Sequence, residues 1–153
     1  MKLAEALLER KAIKEKIQAL RERMLKDARV QEGEKPAEAP AELMAEVADL
    51  TVKLERLTVA INRTNIAARL SDGMTLMEAI VRRDMLRLLH EAARQLADAA
   101  SKGEWRLSRS EIKTVPTVDV ASWRRRADDY ARQYRELDAA LQAANWTVEL
   151  EEE

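Results

Sequence analysis

The 153-residue chain has no cysteine, no phenylalanine and a single histidine. Without cysteine there is no disulfide framework, no thiolate-bound zinc and no thiol nucleophile. One histidine rules out a multi-histidine metal site within one chain. Paired Glu-x-x-His motifs, which a carboxylate-bridged di-metal bundle needs, are missing too. Three glycines and three prolines are too few for the many turns of a sandwich or barrel. The net charge of −1 gives no whole-molecule field to draw nucleic acid or anionic lipid. No apolar run approaches the roughly 18–20 residues of a membrane span. The N-terminal Met1–Lys11 stretch threads charges through its leucines, unlike an export signal. Gly-rich phosphate loops and a Gly-x-Ser-x-Gly nucleophile elbow are also lacking. We therefore expect a cytoplasmic, non-enzymatic single domain, with no cofactor, no metal, no nucleic acid and no membrane among its partners.

What is present points to long helices. Charged residues make up 36% and hydrophobic ones 46%, and the mixture is rich in Ala, Leu, Glu, Lys and Arg. From Lys2 to about Arg29, Leu3, Ala6, Ile13, Ile17, Leu20 and Met24 follow a seven-residue repeat. Residues 30–40 form an acidic, Gly/Pro-bearing stretch with little to bury, which reads as a mobile loop. Pro40 suits the first position of a second helix. Beyond it Leu43, Val47, Leu50, Leu54, Leu57, Ile61, Thr64 and Ala68 alternate steps of four and three, the cleanest heptad run in the chain. Ser71-Asp72-Gly73 supplies a turn, with Gly73 free to take a positive φ.

Thr75 and Glu78 match a capping box for a third helix, Leu76 to about Lys102. Its apolar positions (Met77, Ile80, Val81, Met85, Leu88, Leu89, Ala92, Leu96, Ala99) cover a face too wide for one partner, which suggests neighbours on two sides. Residues 105–115 alternate in polarity and then turn β-branched, predicting one or two short strands. Asp119 caps a fourth helix with the seam Val120, Trp123, Ala127, Tyr130, Tyr134, Leu137, Leu141 and Ala144, stopping near Asn145. Residues 146–150 alternate again and suggest a last strand, paired with the one after the third helix. Residues 151–153 should fray.

The fold class that follows is mainly α. The leading arrangement is an antiparallel four-helix bundle with a small β-element from residues near 105–115 and 146–150. The alternative is a long helical hairpin projecting from a compact helical core. Either version leaves apolar stripes uncovered in a monomer. At roughly 1.5–3 kcal/mol per buried Leu, Ile or Val, such stripes favour self-association. The expected partner is a second copy of the chain, and secondarily a small anion.

One polar constellation stands out. If the second and third helices are antiparallel neighbours across Gly73, then Asn62, Arg63 and Asn65 meet Arg82, Arg83 and Asp84 near the turn. Such a network either fixes helix register or binds an anion through paired guanidinium groups. Arg109, flanked by Ser108 and Ser110 in the connector, is a further candidate ligand group. No catalytic residue is assigned. His90 has only Glu91 as an adjacent acid, and neighbours in a helix diverge by about 100°, so it reads as a boundary residue. Trp123-Arg124-Arg125-Arg126 suggests nucleic acid, but Asp128 and Asp129 follow closely and Trp123 occupies a seam position.

The strings Ile61–Asn65, Asp72–Ile80 with Arg82–Asp84, Ser108–Ile112, Val115–Val120 and Gln142–Thr147 resemble a family of small bacterial helical proteins. Its members are uncharacterised, and some carry the label septicolysin, after a cytolysin. The resemblance implies bacterial origin and a mostly helical fold, and brings no active site. A secreted pore-former would be expected to show an export signal or a membrane-entering amphipathic segment, and the sequence shows neither.

Overall fold

The computed structural model describes residues 1–102 and 112–152. It contains helices α1 (Leu3–Lys26), α2 (Pro40–Ala67), α3 (Leu76–Ser101) and α4 (Val120–Thr147). The fold is mainly α. The chain divides into two compact units, Met1–Arg69 with Ala143–Glu153, and Leu70–Gln142.

In the first unit α1 and α2 pair antiparallel. Lys16 meets Glu46 at 2.7 Å, Lys53 meets Glu9 at 2.7 Å, and Arg23 is bonded to Glu38. The two residue numbers in each pair add to a nearly constant total, as opposed directions require. Between the rows of charge, Leu20, Leu43 and Val47 form a buried cluster against Ile17, Met24 and Leu50. Each fully covered side chain contributes about 1.5–3 kcal/mol, whereas an exposed ion pair contributes about 0–1 kcal/mol. The apolar seam therefore holds the hairpin, and the charges set its register. Pro40 occupies the start of α2, where its missing N–H costs nothing.

Three threonines sit inside α2 without breaking it. The hydroxyls of Thr51, Thr58 and Thr64 donate to the carbonyls of Val47, Leu54 and Ala60 at 2.7–2.9 Å, satisfying the side chain within its own helix. Thr64 is 1% exposed. Its Oγ1 also accepts the amide of Glu151 at 2.9 Å.

The expected strand near the C-terminus takes a different partner. Val148–Leu150 runs antiparallel to Met1–Leu3, with Leu3 N donating to Val148 O at 3.0 Å and Leu150 N to Met1 O at 2.8 Å. Trp146 and Thr147 still belong to α4, so the helix passes Asn145, the expected stop. Leu3 and Leu150 are buried beside this bridge, an apolar reward that the N-terminal segment offers. Of the strand expected over 105–115, residues 105–111 lie outside the described residues. Residues 112–115 form no strand, and Ile112 is 92% exposed.

In the second unit the turn before α3 is built as the sequence dictates. Gly73 has φ +89°, and Met74 N donates to Asp72 Oδ1 at 2.9 Å. Thr75 Oγ1 accepts from Glu78 N at 3.1 Å, while Thr75 N donates to Glu78 Oε2 at 2.8 Å, completing the capping box. At α4, Asp119 Oδ1 accepts from Ala121 N at 3.2 Å.

The buried face of α3 is not the expected one. Leu76, Ala79, Leu86, Ala93 and Ala97 are buried, whereas Met77, Val81, Met85, Leu88, Leu89 and Leu96 are 38–58% exposed. Three of the five buried residues are alanines, and small side chains let a neighbouring backbone come close. The alanine face therefore wins over the bulkier one. The seams read on α1, α2 and α4 are buried or half-buried; the larger apolar residues left exposed are most numerous on α3, with Met44, Val52, Val59 and Ile66 also exposed on α2.

Candidate functional site

Polar chemistry in the second unit concentrates where α3 and α4 run antiparallel. Arg83 lies at one end, its side chain 22% exposed. Its Nη1 donates to Asp138 Oδ1 at 3.0 Å, and Nε and Nη2 reach Asp84 Oδ1 at 3.3 Å each. Burial opposes the charge of this guanidinium. The hydrogen bonds to Asp138 and Asp84, with the charges of the two carboxylates, outweigh that effect and hold Arg83 above its ordinary pKa. Arg83 is thus a fully charged register pin between the two helices.

Further along, Arg87 lies over the Tyr134 ring at 5.9 Å, within cation–π range. His90 Nδ1 lies 2.8 Å from the Ala127 carbonyl. A carbonyl only accepts, so Nδ1 carries the proton and Nε2 remains available. At the far end Arg124 donates to Asp98 Oδ1 at 3.1 Å and to Ser101 Oγ at 3.2 Å. Arg126 stacks on Trp123 at 4.7 Å. Two members of the basic run at the start of α4 are thereby engaged within the unit.

The residues singled out in the sequence fall into separate groups. Asn62 and Arg63 are exposed and Asn65 half-buried on α2 in the first unit. Arg63 joins Met1, Leu150, Glu151 and Glu152 around a cleft of about 420 Å3. Arg83 and Asp84 come together in the second unit, and Arg109 lies outside the described residues. Asp138, the strongest partner of Arg83, was not among the sequence candidates. Nothing local marks it, because its significance comes only from a position 55 residues away across the α3–α4 seam. Arg87, Tyr134 and Arg135 were missed for the same reason.

A broader groove of about 980 Å3 runs along α2 in the first unit. Its charged lining is Lys53, Arg56 and Arg63 against Glu9, Glu55 and Glu152, and Lys53 is bonded to Glu9. The balance of signs gives it no preference for an anion. Among the described residues no group of three or more His, Asp or Glu side chains is placed to hold a metal ion. No helix among them is long and apolar enough to cross a membrane.

The chain is similar to a functionally unknown conserved protein from Corynebacterium diphtheriae, known from a crystal structure. The two are 42% identical, the match covers 99% of each chain, and the TM-score is 0.92. No curated protein matches. A family model described as a family of unknown function (DUF6847) matches residues 10–150. A match over that span, reaching from within α1 past the end of α4, makes this chain a member of the DUF6847 family.

Proposed function

We propose that the protein is a cytoplasmic, self-associating helical assembly protein whose contact surface is the outer face of α3. The observation that carries this reading is the row Met77, Val81, Met85, Leu88 and Leu96, all 38–58% exposed on a helix whose opposite face is already buried. With Ala92 included, the intervals from Met77 to Leu96 are four, four, three, four and four. That order reads the same in both directions. A second copy running antiparallel therefore sets Met77 against Leu96, Val81 against Ala92 and Met85 against Leu88. Such self-complementarity suits a two-fold contact.

Magnitudes set the expected strength. Covering the exposed half of these side chains in two copies gains on the order of 10 kcal/mol, against an association cost of about 4–15 kcal/mol. A concentration-dependent dimer follows, rather than a permanent one. Light scattering across a concentration series should show mass rising toward twice 17.4 kDa, and Leu88→Glu should hold the protein at monomer mass. A monomer at every concentration, or association unchanged by Leu88→Glu, removes the proposal.

The alternative is a small anion held by Asn62, Arg63, Asn65, Arg83 and Asp84, with Arg109. It is less favoured because Arg83 already spends its guanidinium on two carboxylates. A membrane-active cytolysin is a third and least favoured reading, and liposome leakage tests it directly.

A further inference from the structure

Several arginines of the α3–α4 unit are neutralised nearby. Arg83 has Asp138 and Asp84, Arg94 and Arg124 share Asp98, and Arg132 lies between Asp129 and Glu136. One concave spot departs from this pattern. Arg87, His90, Ala131, Tyr134 and Arg135 line a cleft of about 320 Å3 that contains no carboxylate. Arg135 forms no ion pair among the described residues. Arg87 reaches Asp84 Oδ1 only at 3.5 Å, and that oxygen already serves Arg83 at 3.3 Å.

We propose that this cleft binds a small phosphate-bearing ligand, such as inorganic phosphate or a phosphate monoester. Two guanidinium groups from facing helices offer the forked donors that a tetrahedral oxyanion accepts. The Tyr134 ring under Arg87 restrains one of them in advance, reducing the entropy lost on binding. His90 commits Nδ1 to Ala127 O, leaving Nε2 as the atom for a ligand oxygen: an acceptor for a protonated phosphate when neutral, a donor when charged. The volume lies at the lower end of small-ligand sites, which suits a phosphate with a small substituent. This site is distinct from the outer face of α3 and does not depend on self-association.

The test is a titration of the full chain with inorganic phosphate at constant ionic strength, followed by NMR of the His90 ring and the arginine side chains. A parallel arm uses glycerol phosphate, and a chloride arm reports screening alone. Saturable shifts at His90, Arg87 and Arg135 are expected with phosphate but not with chloride. Arg87→Gln/Arg135→Gln should weaken binding by roughly tenfold or more. Arg125→Gln, on the same helix but outside the cleft lining, should leave it unchanged. Variants are compared only where their helical circular dichroism matches the parent. Should the double variant unfold, Arg135→Gln alone is read for the same weakening. Shifts that fail to saturate, that appear equally with chloride, or that persist at the same affinity in the arginine variants overturn the proposal. Tighter binding of glycerol phosphate than phosphate points to a monoester, and the reverse to the free ion.

Discussion

The hydroxyl of Thr64 accepts the backbone amide of Glu151 at 2.9 Å while donating to Ala60 O at 2.9 Å. A polar residue near the end of a heptad seam is thereby used on both sides, tying the end of the chain to α2. Thr64→Val keeps the shape and removes both bonds, so it should destabilise the protein by about 1–2 kcal/mol. Thr64→Ser should retain the bonds and lose only a methyl group, about 1 kcal/mol. Urea unfolding ranks the two. A valine variant as stable as the parent would mean the bond contributes nothing.

Glu149 is held below the ordinary carboxylate range by its hydrogen bond to Lys2, with the N-terminal ammonium next; the contacts are 2.5 and 3.3 Å. A lowered folded-state pKa means the contribution is present above the ordinary value and is lost as pH falls through the depressed one. The Leu150 amide, bonded to Met1 O, should therefore loosen on acidification. Its NMR temperature coefficient reads this locally. In Glu149→Gln the coefficient should no longer change over that acid range, and an unchanged acid response would assign the effect elsewhere.

Removing Asp138 leaves the half-buried Arg83 with Asp84 alone. Asp138→Ala should cost about 1–3 kcal/mol, and Arg83→Met/Asp138→Leu should recover part of that loss, because no charge is then stranded. A double-mutant cycle should give a coupling of at least about 0.5 kcal/mol. Additive effects would show that the pair does not act as a pin.

The two faces of α3 respond in opposite ways to a change in size. Ala97, 0% exposed, has no room for a larger side chain, and Ala97→Leu should destabilise by about 1–3 kcal/mol. Leu88, 58% exposed, should tolerate Leu88→Ala with a loss below about 1 kcal/mol in the monomer. Thermal denaturation at low protein concentration compares them, and the reverse order would restore the bulky face as the buried one.

Local chemistry was written in the sequence. The heptads of α1 and α2, Pro40 at a helix start, the Gly73 turn, the Thr75–Glu78 box and the Asp119 cap each depend on residues within a few positions of one another, so reading them needs no partner. On α3 the apolar pattern pointed to the wide face bearing Met77, Val81 and Leu88, and it could not show that another face is the one buried. The choice depends on how closely a second backbone approaches, and only assembly rewards Ala79, Ala93 and Ala97 above Val81 and Leu88. The same holds for the strand at 148–150, whose alternation was legible while its partner, Met1–Leu3, was not. Arg83 with Asp138, and the cleft around Arg87 and His90, join residues far apart in the chain. Their meeting was decided by packing, because pairwise charge attraction is non-directional and leaves no trace in local order.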